Sequence, residues 1–157
     1  MPPGGDAFPM HTRMHRNANG YGGLNRVAVR VLLVEDMVQV QSALVDLLAG
    51  VGDFEVVHAA GTEAEAKLWL AENRAGWDLA IIDLVLDQGT GMAVIAPARE
   101  AANDAGGNIV VFSDYASDGI TRHCQRLGAD AVFLKSQTQE LMDYCAELGG
   151  PAAAPAR

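Results

Sequence analysis

Four short apolar runs, VRVLLV at 29–34, LAII at 79–82, NIVVF at 108–112 and AVFL at 131–134, each end on or run directly into polar residues. Those residues are Glu35 with Asp36, then Asp83, Ser113 and Lys135. Apolar stretches this short and this rich in branched side chains read as strands buried on both faces, the pattern of a parallel sheet. In an open α/β sheet ligands bind in the crevice beyond the carboxyl ends of the strands, so the five polar residues should converge there. Three acids, a hydroxyl and an ammonium in one crevice suit a divalent cation beside a phosphoryl group.

The rest of the chain supplies the alternation such a sheet needs. Strands are expected at 29–34, 54–59, 79–82, 108–112 and 131–134, with helical patterns between them. The first helix spans Val38 to Ala49 with Val40, Leu44, Leu47 and Leu48 on one face, and stops at Gly50 and Gly52. The second spans Glu63 to Arg74, with Thr62 as its N-cap and Ala66, Trp69 and Leu70 inward. The third starts near Gly91 and contains Pro97, which predicts a kink or a late start. The fourth spans Ser117 to Leu127 and ends at Gly128; the fifth spans Thr138 to Leu148 and ends at Gly149 and Gly150. Five strands alternating with five helices predict an α/β doubly wound, mostly parallel sheet. Residues 1–26, rich in Pro, Gly and Asn and without periodicity, are expected to form a disordered arm. The folded domain is expected at 27–149, with a disordered tail at 150–157 and no output domain after it.

Charge and cysteine content exclude several function classes. The net charge of −9 divides into +3 for residues 1–30 and −12 for the remainder. A body that acidic repels a phosphate backbone, so no nucleic acid is expected as partner. Nowhere do 18 apolar residues run together, and no membrane span or signal peptide is expected. Cys124 and Cys145 form no metal-binding or redox spacing, which points to a reducing cytoplasm; placed on the neighbouring fourth and fifth helices, they are expected to be structural thiols. His11 and His15 lie in the arm, His58 ends the second strand and His123 lies in the fourth helix, all as ordinary surface or half-buried histidines. Trp69 and Trp77 should pack against the sheet.

The acidic cluster has its own chemistry. Gathered without a cation, Glu35, Asp36 and Asp83 would repel one another and take up protons, so the cluster calls for a positive partner. A carboxylate such as Asp83 can also act as a nucleophile toward phosphorus. Ser113 is placed to donate to a phosphoryl oxygen, and Lys135 to pair with another as a compact charge.

The segments VLLVED, LAIIDLVLDQGTG, VVFS and GADAVFLKS resemble the receiver domains of two-component response regulators, of the stand-alone chemotaxis-regulator type. The likeness covers about residues 29–148, and the intervals Asp83 to Ser113 (30 positions) and Ser113 to Lys135 (22) agree with the family pattern. It implies a flavodoxin-like five-stranded sheet in order 2-1-3-4-5. It further implies that Glu35 and Asp36 bind Mg²⁺ together with Asp83 and the main-chain carbonyl of Val85. By the same resemblance Asp83 is the phospho-acceptor, Ser113 the switch hydroxyl and Lys135 the phosphate-contacting lysine. The implied partners are a histidine kinase or histidine phosphotransfer protein as donor and a downstream protein at the face of helix 4, strand 5 and helix 5. Such a protein is no enzyme acting on a separate substrate; it catalyses its own phosphorylation and slow dephosphorylation.

Four positions depart from the family pattern. Asp87 and Ser136 stand where prolines are frequent, Asp114 follows the switch serine where a small residue is common, and Val132 occupies the place of the switch aromatic. Phe133 should face the other side of the strand, because strand side chains alternate. The principal alternative is a receiver-like protein-binding module that works without phosphate. A haloacid-dehalogenase phosphatase would need a second aspartate two positions after Asp83, whereas Asp87 is four away. A flavin-binding protein would need a Gly/Ser/Thr phosphate cradle after strand one, where Glu35 and Asp36 stand. No GxGxxG or GxxxxGK[ST] occurs.

Overall fold

The computed structural model describes residues 27–153. The arm at 1–26, with His11 and His15, and the end of the tail at 154–157 lie outside the described residues. Strands β1 (Val29–Val34), β2 (Phe54–Ala60), β3 (Leu79–Ile82), β4 (Asn108–Ser113) and β5 (Ala131–Leu134) pair in parallel, in the order β2-β1-β3-β4-β5. The helices are α1 (Val38–Val51), α2 (Glu63–Glu72), α3 (Met92–Ala105), α4 (Asp118–Leu127) and α5 (Thr138–Ala153), and a 3₁₀ turn, Lys135–Gln137, leads into the last. This is the doubly wound fold expected from the sequence, in the strand order that the resemblance implied.

Alternation along the strands divides the core in two. Leu32, Val34, Ala80, Ile82, Ile109 and Val111 pack on one side of the sheet with Leu70, Val94, Ile95, Ala98 and Cys124 from α2, α3 and α4. Val31, Leu33, Leu79, Ile81, Val110 and Phe112 pack on the other with Leu44, Leu48, Leu141 and Cys145 from α1 and α5. The two thiols are therefore on opposite sides of the sheet, not adjacent as expected, because α4 and α5 flank β5 from different faces.

Register is pinned by ion pairs at the starts of strands. The Arg30 guanidinium donates to both Asp78 carboxylate oxygens at 2.9 Å, the Arg30 N–H donates to Asp78 Oδ2 and the Asp78 N–H to the Arg30 carbonyl, each at 2.8 Å, which ties β1 to the segment entering β3. At the far edge Asp130 accepts from the Ile109 N–H at 2.8 Å and from Arg99 at 2.7 Å. Arg99 also donates to the Gly128 carbonyl. Gly128 closes α4 at φ 126°, a left-handed backbone where a side chain would also strike Arg99.

Two helix starts are capped by hydroxyls, Thr62 as expected and Ser117 from a position expected inside the fourth helix. Thr62 and Ser117 accept hydrogen bonds from Glu65 and Ile120 in the first turns of α2 and α4. Helix α3 begins at Met92 and runs continuously through Pro97, since Val94, Ile95, Ala98, Ala101 and Ala102 bury its inner face on both sides of the proline. Three helix ends differ from expectation. Helix α1 passes Gly50 to reach Val51, and Leu47 stays partly exposed rather than inward. Helix α2 stops at Glu72 because the Asn73 side chain caps the Trp69 carbonyl at 2.9 Å. Helix α5 overruns Gly149 and Gly150 to Ala153, into the expected tail; Gly149 lies so close to Phe54 that a Cβ there would sit 3.3 Å from the ring, so a small residue lets the last turns pack on β2.

Candidate functional site

Strand register brings the sequence-distant residues together. Val34 lies opposite Ile82, so Glu35 and Asp83 leave neighbouring strand ends side by side, and the Asp83 N–H bonds the Val34 carbonyl at 2.9 Å. Ser113 lies opposite Leu134, which sets Lys135 just beyond the hydroxyl. Asp36, Asp83, Val85, Ser113 and Lys135, with Met37, Asp87, Asp114 and Tyr115, line one cleft of about 240 Å³.

Lys135 holds the cluster. Its Nζ donates to Glu35 Oε1 at 2.9 Å and to Asp83 Oδ2 at 3.0 Å. The remaining carboxylate oxygens turn to backbone donors: Glu35 Oε2 accepts from the Met37 N–H at 3.0 Å and Asp83 Oδ1 from the Val85 N–H at 3.2 Å. Glu35, Asp83 and Ser113 are buried. Burial pushes the Glu35 carboxyl above its usual range and the Asp83 charge adds to that, against the opposing bonds from Met37 and Lys135. For Lys135 burial acts to lower the pKa, but the hydrogen bonds and charges of Glu35 and Asp83 outweigh it and the ammonium is held above its ordinary value.

One oxygen from each of Glu35, Asp36 and Asp83 falls in a group whose members all lie within 4.8 Å of one another. Three carboxylates against one ammonium leave a surplus of negative charge. A small hard cation taking one or two carboxylate oxygens and otherwise water or phosphate oxygens fits such a donor set, and Mg²⁺ is the ion of that description. The Ser113 Oγ faces the same cleft and lies 3.5 Å from the Tyr115 N–H.

Several supports for this site were not legible in the sequence. Asp36 Oδ2 accepts a bond from the Asp87 N–H at 3.0 Å, linking a β1-end acid to the β3–α3 loop. The same loop is clamped from its other side: Glu63 accepts from the Thr90 N–H at 2.9 Å, and its own N–H bonds the Gln88 carbonyl. Gly91 passes so close to the Asp83 carbonyl that no Cβ fits, a contact that depends on tertiary placement. Below Lys135, the Gln137 side chain accepts from the Leu134 N–H at 2.8 Å and the Thr138 hydroxyl donates to the Lys135 carbonyl at 2.9 Å. That turn is built from side-chain caps, and among the described residues no peptide is cis.

The expectation for β5 holds. Val132 packs with the α2–α4 side of the core, while Phe133 packs on the other side, edge-on to Tyr144 at 5.8 Å. Trp77 is fully buried; Trp69 is half-buried and stacks on His58 at 5.4 Å. Among the described residues no helix is long and apolar enough to cross a membrane.

Comparison with known proteins agrees with this fold. Similar folds include the *Borrelia burgdorferi* CheX–CheY complex with BeF₃ and Mg²⁺ (17% identity over 74% of this chain and 88% of that one, TM-score 0.64). The receiver domain of the putative response regulator NarL from *Mycobacterium tuberculosis* is another (22%, 76% and 97%, TM-score 0.62). A third is a *Burkholderia pseudomallei* response regulator with a phosphorylated aspartic acid, calcium and citrate (22%, 82% and 75%, TM-score 0.58). No relative was found among curated protein sequences. The family model for the response regulator receiver domain matches residues 31–146, most of the chain. With its five parallel strands and their acid-lined carboxyl ends, the chain belongs to the receiver domain family of two-component response regulators.

Proposed function

We propose that Asp83 accepts a phosphoryl group from a phosphohistidine of a histidine kinase or phosphotransfer protein, and that the phosphorylated domain signals by contact with another protein. The observation that carries this reading is the Lys135 ammonium bridging Glu35 and Asp83, with Asp36 in the same carboxylate group. In the transfer an Asp83 oxygen attacks phosphorus, the P–N bond breaks and the imidazole leaves with its electron pair, taking up a proton. Glu35, Asp36, Asp83 and the Val85 carbonyl would hold Mg²⁺, which when bound offsets the charge on the phosphoryl oxygens. Lys135 pairs with one of those oxygens once Asp83 is phosphorylated, and the Ser113 hydroxyl donates to another. The domain is thus its own phosphotransfer catalyst and returns slowly to the free acid by hydrolysis. The face of α4, β5 and α5 carries the contact with the downstream protein, and the setting is cytoplasmic.

Support by analogy comes from the phosphorylated aspartic acid of the *Burkholderia* regulator and the BeF₃ and Mg²⁺ of the *Borrelia* complex. The test is acetyl phosphate with and without Mg²⁺, read by intact mass. One phosphoryl group should appear only with Mg²⁺ and be absent in Asp83→Asn; equal uptake by both proteins would refute the assignment.

Asp114, exposed at the cleft mouth, favours the second reading, a phosphate-independent binding module, because its charge repels an anionic donor. That reading predicts no uptake and a partner affinity indifferent to Mg²⁺ and donor.

A further inference from the structure

Residues 27–153 contain seven lysines and arginines among 19 acids. Five of the seven are engaged: Arg30 with Asp78, Lys67 with Glu63, Arg74 with the Glu100 carbonyl, Arg99 with Asp130, and Lys135 with Glu35 and Asp83. Arg122 and Arg126 are exposed, and among the described residues they alone of the seven make no hydrogen bond or ion pair. They lie four apart on α4, so both point from one face of the helix, with their Cβ atoms roughly 6 Å apart. Asp118, one turn before Arg122, is not paired with it, although that spacing permits a bond.

A domain with so many carboxylates could readily have neutralised two more guanidinium groups. Their planar forks are the side chains best matched to carboxylates in two-point contact. Helix α4 is also close to the phosphoryl site in the chain: Ser113 ends β4, the Tyr115 N–H approaches its hydroxyl, and Ser117 caps the helix. A change at Ser113 therefore has three intervening residues in which to reach the α4 start.

Building on the reading that the signal leaves through the α4 side, we infer that Arg122 and Arg126 dock an acidic segment of a partner protein. The segment carries two carboxylates about one helical turn apart, or two positions apart on an extended strand, to match the arginine spacing. A nucleic-acid phosphate offers similar chemistry, but the surrounding acidic surface opposes a long polyanion. A short segment with two localised charges meets only the two arginines.

The test uses the ¹⁵N-labelled full chain and two alanine-rich helical peptides of about 20 residues, identical except for Glu or Gln at one pair of positions four apart. The Glu peptide should shift the amides of Asp118–Leu127, and its apparent Kd should weaken about tenfold or more between about 50 and 300 mM salt. The Gln peptide should leave those amides unmoved. The response should vanish in Arg122→Glu/Arg126→Glu and persist in Arg122→Lys/Arg126→Lys, whose charge is retained. Equal shifts by both peptides, shifts centred on another element, or binding that survives charge reversal would overturn the inference. So would a concentration-dependent dimer in sedimentation that the charge reversal dissolves, since the occupant would then be a second copy bearing the acids of α5. Intact-mass phosphorylation of the charge-reversed protein should match wild type. Failure of wild type itself to take up phosphate would sink the phospho-acceptor reading and leave the peptide result to stand or fall separately.

Discussion

At the scale of single residues, the site is governed by a shortage of positive charge. Lys135 serves two buried acids at once, so its loss leaves both without their only cationic partner among the described residues. Lys135→Met should lower stability in Mg²⁺-free urea melts by about 3 kcal/mol, the lower end for breaking a buried pair because the lysine keeps some exposure. Added Mg²⁺ should recover part of that loss. A melt unchanged by the substitution would mean that the cluster is neutralised some other way. Asp87 acts through its backbone: its N–H, not its carboxylate, reaches Asp36. Asp87→Ala keeps that donor and should leave Mn²⁺ affinity, measured by electron spin resonance, within about twofold. Asp87→Pro removes it and should weaken binding by about tenfold or more, the order of one lost charge-assisted bond. Equal affinities would remove Asp87 from the positioning of Asp36.

At the scale of elements, opposite sides of the sheet have different sensitivities. Cys145 lies fully buried on the inner face of α5, and burial pushes its thiol from the ordinary 9.0 up to about 11. The folded state keeps that proton where the unfolded chain has released it, so this contribution is full below pH 9 and disappears as the pH rises toward 11. The total is on the order of 3 kcal/mol. Denaturation midpoints should fall through that window, and Cys145→Ala should flatten the slope. A slope unaffected by the replacement would assign the alkaline loss to other groups, with the raised Cys124 and Tyr144 the next to test. Elements were read from the sequence best where local chemistry sets them. Apolar runs located four of the five strands, the alternation supplied the one at 54–59, and Thr62 and Gly128 bounded helices as expected. What failed was set across the fold: α5 continues because Gly149 meets Phe54, and Cys124 and Cys145 separate because their helices pack on different faces. The five polar residues of the site were legible because they end strands. Their supports at Asp87, Glu63 and Gln137 were not, because each works through a loop conformation that no local pattern announces.

At the scale of the molecule, five strands running the same way gather every polar terminus of the site on one rim and leave the core uninterrupted. An ion held there would bind only the assembled rim, so Mg²⁺ should raise the melting temperature, the stabilisation following RT ln(1 + [Mg²⁺]/Kd) and reaching about 1.4 kcal/mol at ten times Kd. Chelation should reverse the rise and Asp36→Asn should reduce it; a melting temperature independent of Mg²⁺ would count against a metal site. The contact of Gly149 with Phe54 and Val29 has a practical corollary. It brings the final helix back to where β1 sets out, about 20 Å along the strand from Glu35 at about 3.3 Å per residue. A fluorophore fused just before Val27 or just after Ala153 would therefore sit at the pole away from the acids, so that phosphodonors and divalent ions could be titrated with the tag outside their path.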